Sequence, residues 1–255
     1  MLAPAALEEA FRAAGFAAGD LVMLHGDALA LTQIDASAEA PAARAETLFQ
    51  GIETVLGPGG TLVMPCFSYS ATKGEVFDPN ATPGTVGLLP ELFRARANVR
   101  RTAHPIFSVA CSGAATAAIM AAPLDDCFGA GTVFDLLYQR NGLIACLACG
   151  FDRVTFVHYV EQRLGVGYRY FKSFEARVVE GGRERHFPVR YLVRDLERAT
   201  QTDLRRLKSR LEREGKLRLV PFGRAALVTV RVRDFLDEAV SLLADNPAGL
   251  IREGA

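Results

Sequence analysis

Tryptophan is absent from the 255 residues, and cysteine, at five, and histidine, at four, are scarce. An odd cysteine count without a basic leader excludes a secreted disulfide scaffold and predicts reduced thiols in the cytoplasm. The first residues, MLAPAALEEAFRAAGF, carry no basic segment, and Glu8, Glu9 and Arg12 break their apolar run. They read as an amphipathic helix ending near Gly15 or Gly19 rather than as a signal peptide. The longest uninterrupted apolar stretch, Leu143 to Phe151, is about half of the ~20 residues that cross a bilayer, so no membrane segment is expected. Net charge is also lacking, with 29 Lys and Arg against 29 Asp and Glu, which excludes nucleic-acid binding through bulk charge. With half the residues apolar and 23% charged, the chain is neither disordered nor fibrous.

The zero conceals an asymmetry. Residues 1–150 hold 8 basic against 14 acidic residues, a net of −6, and residues 151–255 hold 21 against 15, a net of +6. Such a split fits either a basic face for an anionic ligand or two differently solvated surfaces. No low-complexity linker or internal repeat divides the chain, so one domain over 1–255 is expected, with 166–215 as an elaboration.

The apolar runs LVMLH (21–25), TLVMPCF (61–67), FSVACSG (107–113) and LIACLACGF (143–151) predict buried strands. Helical spacing is expected over 41–56, 87–96, 155–164 and 203–214, with shorter helices before Met120 and over 135–139. Residues 69–86 form a long loop rich in Ser, Thr, Gly, Pro, Asn and Asp, a length that usually carries function. Residues 174–180 and 184–194 alternate about Gly181-Gly182, a hairpin signal. A strand over 226–232 and a helix over 233–244 close the chain. Strands alternating with helices predict an α/β fold with a mixed, largely parallel central sheet and an antiparallel hairpin elaboration.

The densest chemistry lies in GFDRVTFVHYVEQR (150–163), directly after a strand. Asp152 falls at the strand's C-terminal end, where α/β sheets gather ligands. His158 and Glu161 are three apart and share a helix face, and a carboxylate beside an imidazole fixes its tautomer for a general base. The same spacing fits a structural histidine beside a surface carboxylate. No second such pair completes a metal site, and none is expected. Cys146 and Cys149 form a C-x-x-C inside an apolar run, which reads as core packing. In RTAHPIFSVACSG (101–113), His104 is held extended before Pro105, and Ser108 and Ser112 could face a ligand or a turn. HGDALALTQ (25–33) follows the first strand with small residues that let backbone N–H groups approach a phosphate, but it is neither a Walker loop nor a dinucleotide fingerprint. G-x-S-x-G, H-E-x-x-H and aromatic–basic RNA-binding motifs are missing.

Taken in order, three elements resemble the aminoglycoside 3-N-acetyltransferase family: F-D-P at 77–79, T-x-H-P-x-x-S at 102–108 and G-x-D-x-x-T-x-x-H-x-x-E at 150–161. The resemblance runs from about residue 21 to 165 and fades beyond. It implies a three-layer α/β/α fold and transfer of an acetyl group from acetyl-CoA to an amine, usually on an amino sugar, with antibiotic resistance as the setting. It implies His158 as the base, oriented by Glu161 or Asp152. It places CoA along His25, Gly26 and Asp27, with Phe67, Ser68, Thr102, His104 and Ser108 beside its pantetheine and phosphates. Amines are protonated near neutrality, so a base must free the lone pair, and the oxyanion formed on attack needs hydrogen-bond donors.

The family usually carries His-Ser-Ser where this chain has His25-Gly26-Asp27. A carboxylate beside a pyrophosphate is repelled, so Asp27 points away, or the CoA contact is altered, or the donor differs. Two further readings stand beside the first. One is an acyltransferase for an anionic or nucleotide-linked amino sugar; the other is a degenerate member that binds without catalysis. Partners are expected to be a small-molecule amine rather than nucleic acid or membrane. Self-association is left open.

Overall fold

The computed structural model describes residues 1–35 and 40–252. After helix α1 (Pro4–Ala13), strand β1 (Leu21–Gly26) runs through the middle of the molecule. Helix α2 (Pro41–Leu56) crosses over and returns the chain as β2 (Thr61–Pro65), parallel to β1 with Leu21 opposite Thr61. Proline at the first turn of both helices suits a position where the backbone N–H has no partner. The predicted long loop contains a short 3-10 turn, Ser70–Lys73, and a two-residue strand β3 (Val76–Phe77).

Helix α3 (Leu88–Arg94) leads into the edge strand β4 (Arg100–Arg101) and its antiparallel neighbour β5 (Val109–Gly113). Helices α4 (Thr116–Met120) and α5 (Val133–Gln139) then deliver β6 (Leu143–Leu147), which pairs parallel to β1 on the side opposite β2. Helix α6 (Val157–Leu164) follows, then the hairpin of β7 (Arg169–Glu180) and β8 (Arg183–Arg194), turning at Gly181 and Gly182 with φ of 57° and 76°. Both values lie in the left-handed region that this turn requires and glycine supplies without strain. Helix α7 (Arg205–Arg213), strands β9 (Leu217–Phe222) and β10 (Ala225–Arg231) and helix α8 (Val232–Asp245) complete the chain.

The main sheet has seven strands in the order β4-β5-β2-β1-β6-β10-β9. Parallel pairing is confined to β2, β1 and β6; both flanks are antiparallel. The helix expected over 203–214 stops at Arg213, and Gly215, with φ of 66°, reverses the chain into strand β9, which the sequence reading does not include.

Alternation along β1 builds the layers. Leu21 and Met23 enter one apolar cluster with α5, α6, α7 and α8, while Val22 and Leu24 enter a second with α1, α2 and α3. Helices therefore cover both sheet faces, which is the expected α/β/α architecture. The hairpin stands apart as a second sheet of order β3-β7-β8. It is tied to the body where Arg190 Nε donates to Asp126 Oδ2 at 3.0 Å and Gln162 Nε2 donates to Asp126 Oδ1 at 2.8 Å. Among the described residues no helix is long and apolar enough to cross a membrane.

Candidate active site

The central strand has neighbours reached by crossovers in opposite directions, β2 on one side and β6 on the other. At such a switch point the connections after the strands diverge and leave a crevice at their carboxyl ends. Here the crevice is a cleft of about 980 Å³. One wall comes from the ends of β1 (His25, Gly26, Asp27), β2 (Phe67, Tyr69) and β6 (Cys149, Asp152). The other comes from α6 (His158) and the hairpin and its exit (Arg169, Tyr191, Arg194, Thr202).

The turn out of β6 is built at Ala148, a non-glycine residue with φ of 54°. Left-handed backbone there costs about 1 kcal/mol or more and persists because the surroundings fix it. Ala148 N donates to Ala226 O at 2.9 Å, and Asp27 N donates to Leu147 O at 3.0 Å. This turn brings Cys149 to the cleft while Cys146 stays buried on β6, so the C-x-x-C is half core and half wall. The hydrogen bond from Cys146 holds the Cys149 thiol below its ordinary range, against burial, which pushes it up.

Helix α6 carries the reactive pair. His158 Nδ1 and Glu161 Oε2 are 2.7 Å apart. Glu161 is wholly buried, so the surface carboxylate admitted by its spacing is ruled out. Arg169 Nε, itself buried, sits 2.6 Å from the same Oε2 as an ion pair, and its Nη2 donates to Thr202 Oγ1 at 2.8 Å. Burial disfavours a charged Glu161, but the His158 hydrogen bond and the Arg169 charge outweigh it, so its pKa is lowered. The His158 ring packs on buried Phe128, with centroids 5.5 Å apart, which fixes its plane. With Nδ1 committed to the carboxylate, Nε2 has no protein partner among the described residues.

The other sequence-derived positions divide. His25, Gly26, Asp27 and Phe67 line the cleft. His25 is buried, its Nε2 has no partner, and desolvation pushes its pKa down to about 4, so the ring is neutral. The Asp27 carboxylate accepts from Leu29 N at 2.8 Å and caps the 3-10 turn Ala28–Gln33 while staying exposed on the cleft wall. Asp152 lines the cleft but its side chain is 68% exposed, its nearest cation is Arg153 at 3.9 Å, and it makes no contact with His158. Orientation of the ring falls to Glu161.

Ser68, Thr102, His104 and Ser108 are buried behind the wall and spend their hydrogen bonds on the protein. Ser68 Oγ donates to Pro105 O at 3.2 Å, and Val109 N donates to Thr102 Oγ1 at 3.0 Å. Ser108 Oγ donates to Cys66 O at 2.6 Å and accepts from Arg101 Nε at 3.1 Å. His104 Nδ1 accepts from the backbone N of Ile106 and Phe107 at 3.2 and 3.0 Å. Arg169, Tyr191, Arg194 and Thr202 were not singled out from the sequence. No local pattern marks them; tertiary structure does, by pairing Arg169 with Glu161 and Thr202 with Arg169 and by placing Tyr191 and Arg194 on the cleft. Among the described residues no group of three His, Cys, Asp or Glu could hold a metal ion.

The sequence profile described as aminoglycoside 3-N-acetyltransferase matches residues 23–244. The chain belongs to this family. Aminoglycoside N(3)-acetyltransferase IV from a Salmonella species is 30% identical over 205 residues, which is 78% of this chain and 74% of that protein. Aminoglycoside N(3)-acetyltransferase IX from Micromonospora chalcea is 25% identical over 188 residues, 66% of this chain and 64% of the relative, a little under two thirds of its length. Among solved structures, aminoglycoside acetyltransferase AAC(3)-Xa superposes with a TM-score of 0.80 at 23% identity, covering 94% of this chain and 91% of the other. AAC-IIIb in its binary complex with CoASH gives 0.79 at 20% identity, covering 95% and 96%. Family membership and the α/β/α fold read from the motifs are thereby borne out, and with them the N-acetyltransferase class.

Proposed function

We propose that this chain transfers an acetyl group from acetyl-CoA to an amino group of an amino-sugar acceptor, the reaction named for its aminoglycoside-modifying relatives, with His158 as the base. The observation that carries this is the His158–Glu161–Arg169 series, which leaves one imidazole nitrogen on the cleft without a protein partner. A charged Glu161 accepts a hydrogen bond from Nδ1–H and so keeps the lone pair on Nε2. Nε2 then takes a proton from the acceptor's ammonium or attacking amine, which is the step a neutral-pH amine requires. Buried Phe128 holds the ring in plane, and the cleft walls confine the acceptor beside it.

Acetyl-CoA supplies an activated thioester acyl group when bound. The residues present suit it. The cleft is large, and the buried Nε2 of His25, which lines it, has no partner. His25, Gly26 and Phe67 would hold the donor. Asp27, the residue that motivated a non-catalytic reading, serves locally as the cap of a 3-10 turn. We read the chain as one domain with 166–215 as its elaboration, and its five free cysteines suit the cytoplasm.

The test is thiol release from acetyl-CoA with a panel of amines: a polyamino antibiotic, a monoamino sugar and a phosphorylated amino sugar. Release with at least one amine, lost in His158→Ala, is expected. Hydrolysis alone, or no release with any amine, overturns the reading.

A further inference from the structure

Among the described residues, two carboxylates, Asp27 and Asp152, and three guanidiniums, Arg153, Arg169 and Arg194, line the cleft. Arg153 lies 3.9 Å from Asp152, and Arg169 is compensated from behind by Glu161 at 2.6 Å. Arg194 is exposed and has neither an ion pair nor a side-chain hydrogen bond among the described residues. It is directly opposite Arg169 in the β7–β8 ladder. Residues so paired share a sheet face with Cα atoms roughly 4.5–5.5 Å apart. Arg169 points into the site, so Arg194 does too, one strand away from the Glu161–His158 pair. Asp27 belongs to the opposing wall and already caps a backbone amide. The cleft is therefore polarised, with its one uncompensated guanidinium on the hairpin side.

We infer that Arg194 reads an anionic group, a phosphate or carboxylate, carried by a bound substrate. A planar guanidinium offers two parallel N–H donors to such a group and gains most where no protein carboxylate competes for it. The inference rests on the acetyl-transfer reading for what occupies the cleft. Two sources could present the anion: the ribose 3′-phosphate of the donor, or an anionic substituent on the acceptor sugar. In the second case a uniformly polycationic acceptor is disfavoured.

Calorimetric titration separates them. The donor arm compares CoA with dephospho-CoA, and the acceptor arm compares glucosamine 6-phosphate with glucosamine. Wild type is expected to prefer the more phosphorylated member in at least one arm. Arg194→Ala should cut that preference about tenfold, the scale of one charge-assisted contact, and Arg194→Lys should restore part of it. Loss in the donor arm assigns the residue to CoA, and loss in the acceptor arm to the sugar. Arg183→Ala, at the hairpin turn and outside the cleft, is the control, and matched melting temperatures exclude unfolding. Preferences in Arg194→Ala equal to wild type in both arms, or no preference in wild type, overturn the inference. Binding does not require turnover, so a wild type that shows the preference yet acetylates no amine removes the functional reading and leaves this one standing.

Discussion

Arg169 and His158 converge on one oxygen of Glu161, Oε2, from 2.6 and 2.7 Å. The carboxylate is wholly buried, so its charge depends on both neighbours. Removing the Arg169 charge in Arg169→Met should raise the lowered Glu161 pKa and make it take up a proton at higher pH. The acid limb of the pH–rate profile should then move upward, since the working form is the carboxylate. Arg169→Lys should move it less. Glu161→Gln should cost kcat about 10²-fold or more by releasing the ring tautomer. Unchanged pH profiles in both Arg169 variants would refute the arrangement.

His158→Ala should lower kcat by roughly 10²–10⁴, the usual worth of a positioned base. His158 is only partly buried, and Phe128 stays packed among its other aromatic neighbours, so the melting temperature should change little. Steady-state thiol release and a thermal melt on the same preparation check both halves.

Burial lowers His25 and His104 each to about 4, below their ordinary 6.5. A depressed pKa means the unfolded chain binds more protons between those values. The stability is full above pH 6.5 and is lost as pH falls toward 4, by roughly 3 kcal/mol per histidine. Denaturant unfolding at pH 7.5, 6 and 5 should show this fall, and His104→Gln should flatten it. A flat profile in the native chain would count against buried neutral histidines.

Ser108→Ala separates scaffold from ligand contact. Its hydroxyl bridges Arg101 and the Cys66 carbonyl behind the cleft wall. Its loss should destabilise the protein by about 1–2 kcal/mol, seen in denaturant unfolding, with the KM for acetyl-CoA unmoved. A raised KM at unchanged stability would place the serine on the ligand instead.

The central strands, the hairpin and the His158–Glu161 pair were legible because each rests on local pattern. Leu21–Gly26 and Leu143–Leu147 are apolar runs bounded by turn residues, Gly181-Gly182 marks a reversal, and His158 and Glu161 share a helix face by spacing alone. The antiparallel flanks were not, because strand direction is set by the crossovers. Strand β9 was missed because its residues, Leu217–Phe222, are a short mixed run just past a charged helix, with the reversal set by Gly215. In the site, resemblance pointed to Thr102-His104-Ser108, but it could not say whether those side chains face the cleft or support it from behind. Arg169 and Arg194 were invisible for a different reason: an arginine on a strand means nothing until the register sets it beside a carboxylate or leaves it without one.

The hairpin belongs to its own small sheet but is joined to the body through Asp126, through Ala176, Val178 and Val189 in the apolar cluster, and through the Arg169–Glu161 ion pair. The hairpin thus shares a wall of the cleft with His158, and its first residue, Arg169, is also the ion-pair partner of Glu161. On β8, Val189 is buried in the shared cluster whereas Arg194 is exposed on the cleft, so only the cleft-facing, exposed positions of that strand are free to vary without disturbing the core. A chimera carrying another member's β7–β8 segment, with Arg169 and Arg190 retained, would inherit that member's acceptors on this chain's scaffold.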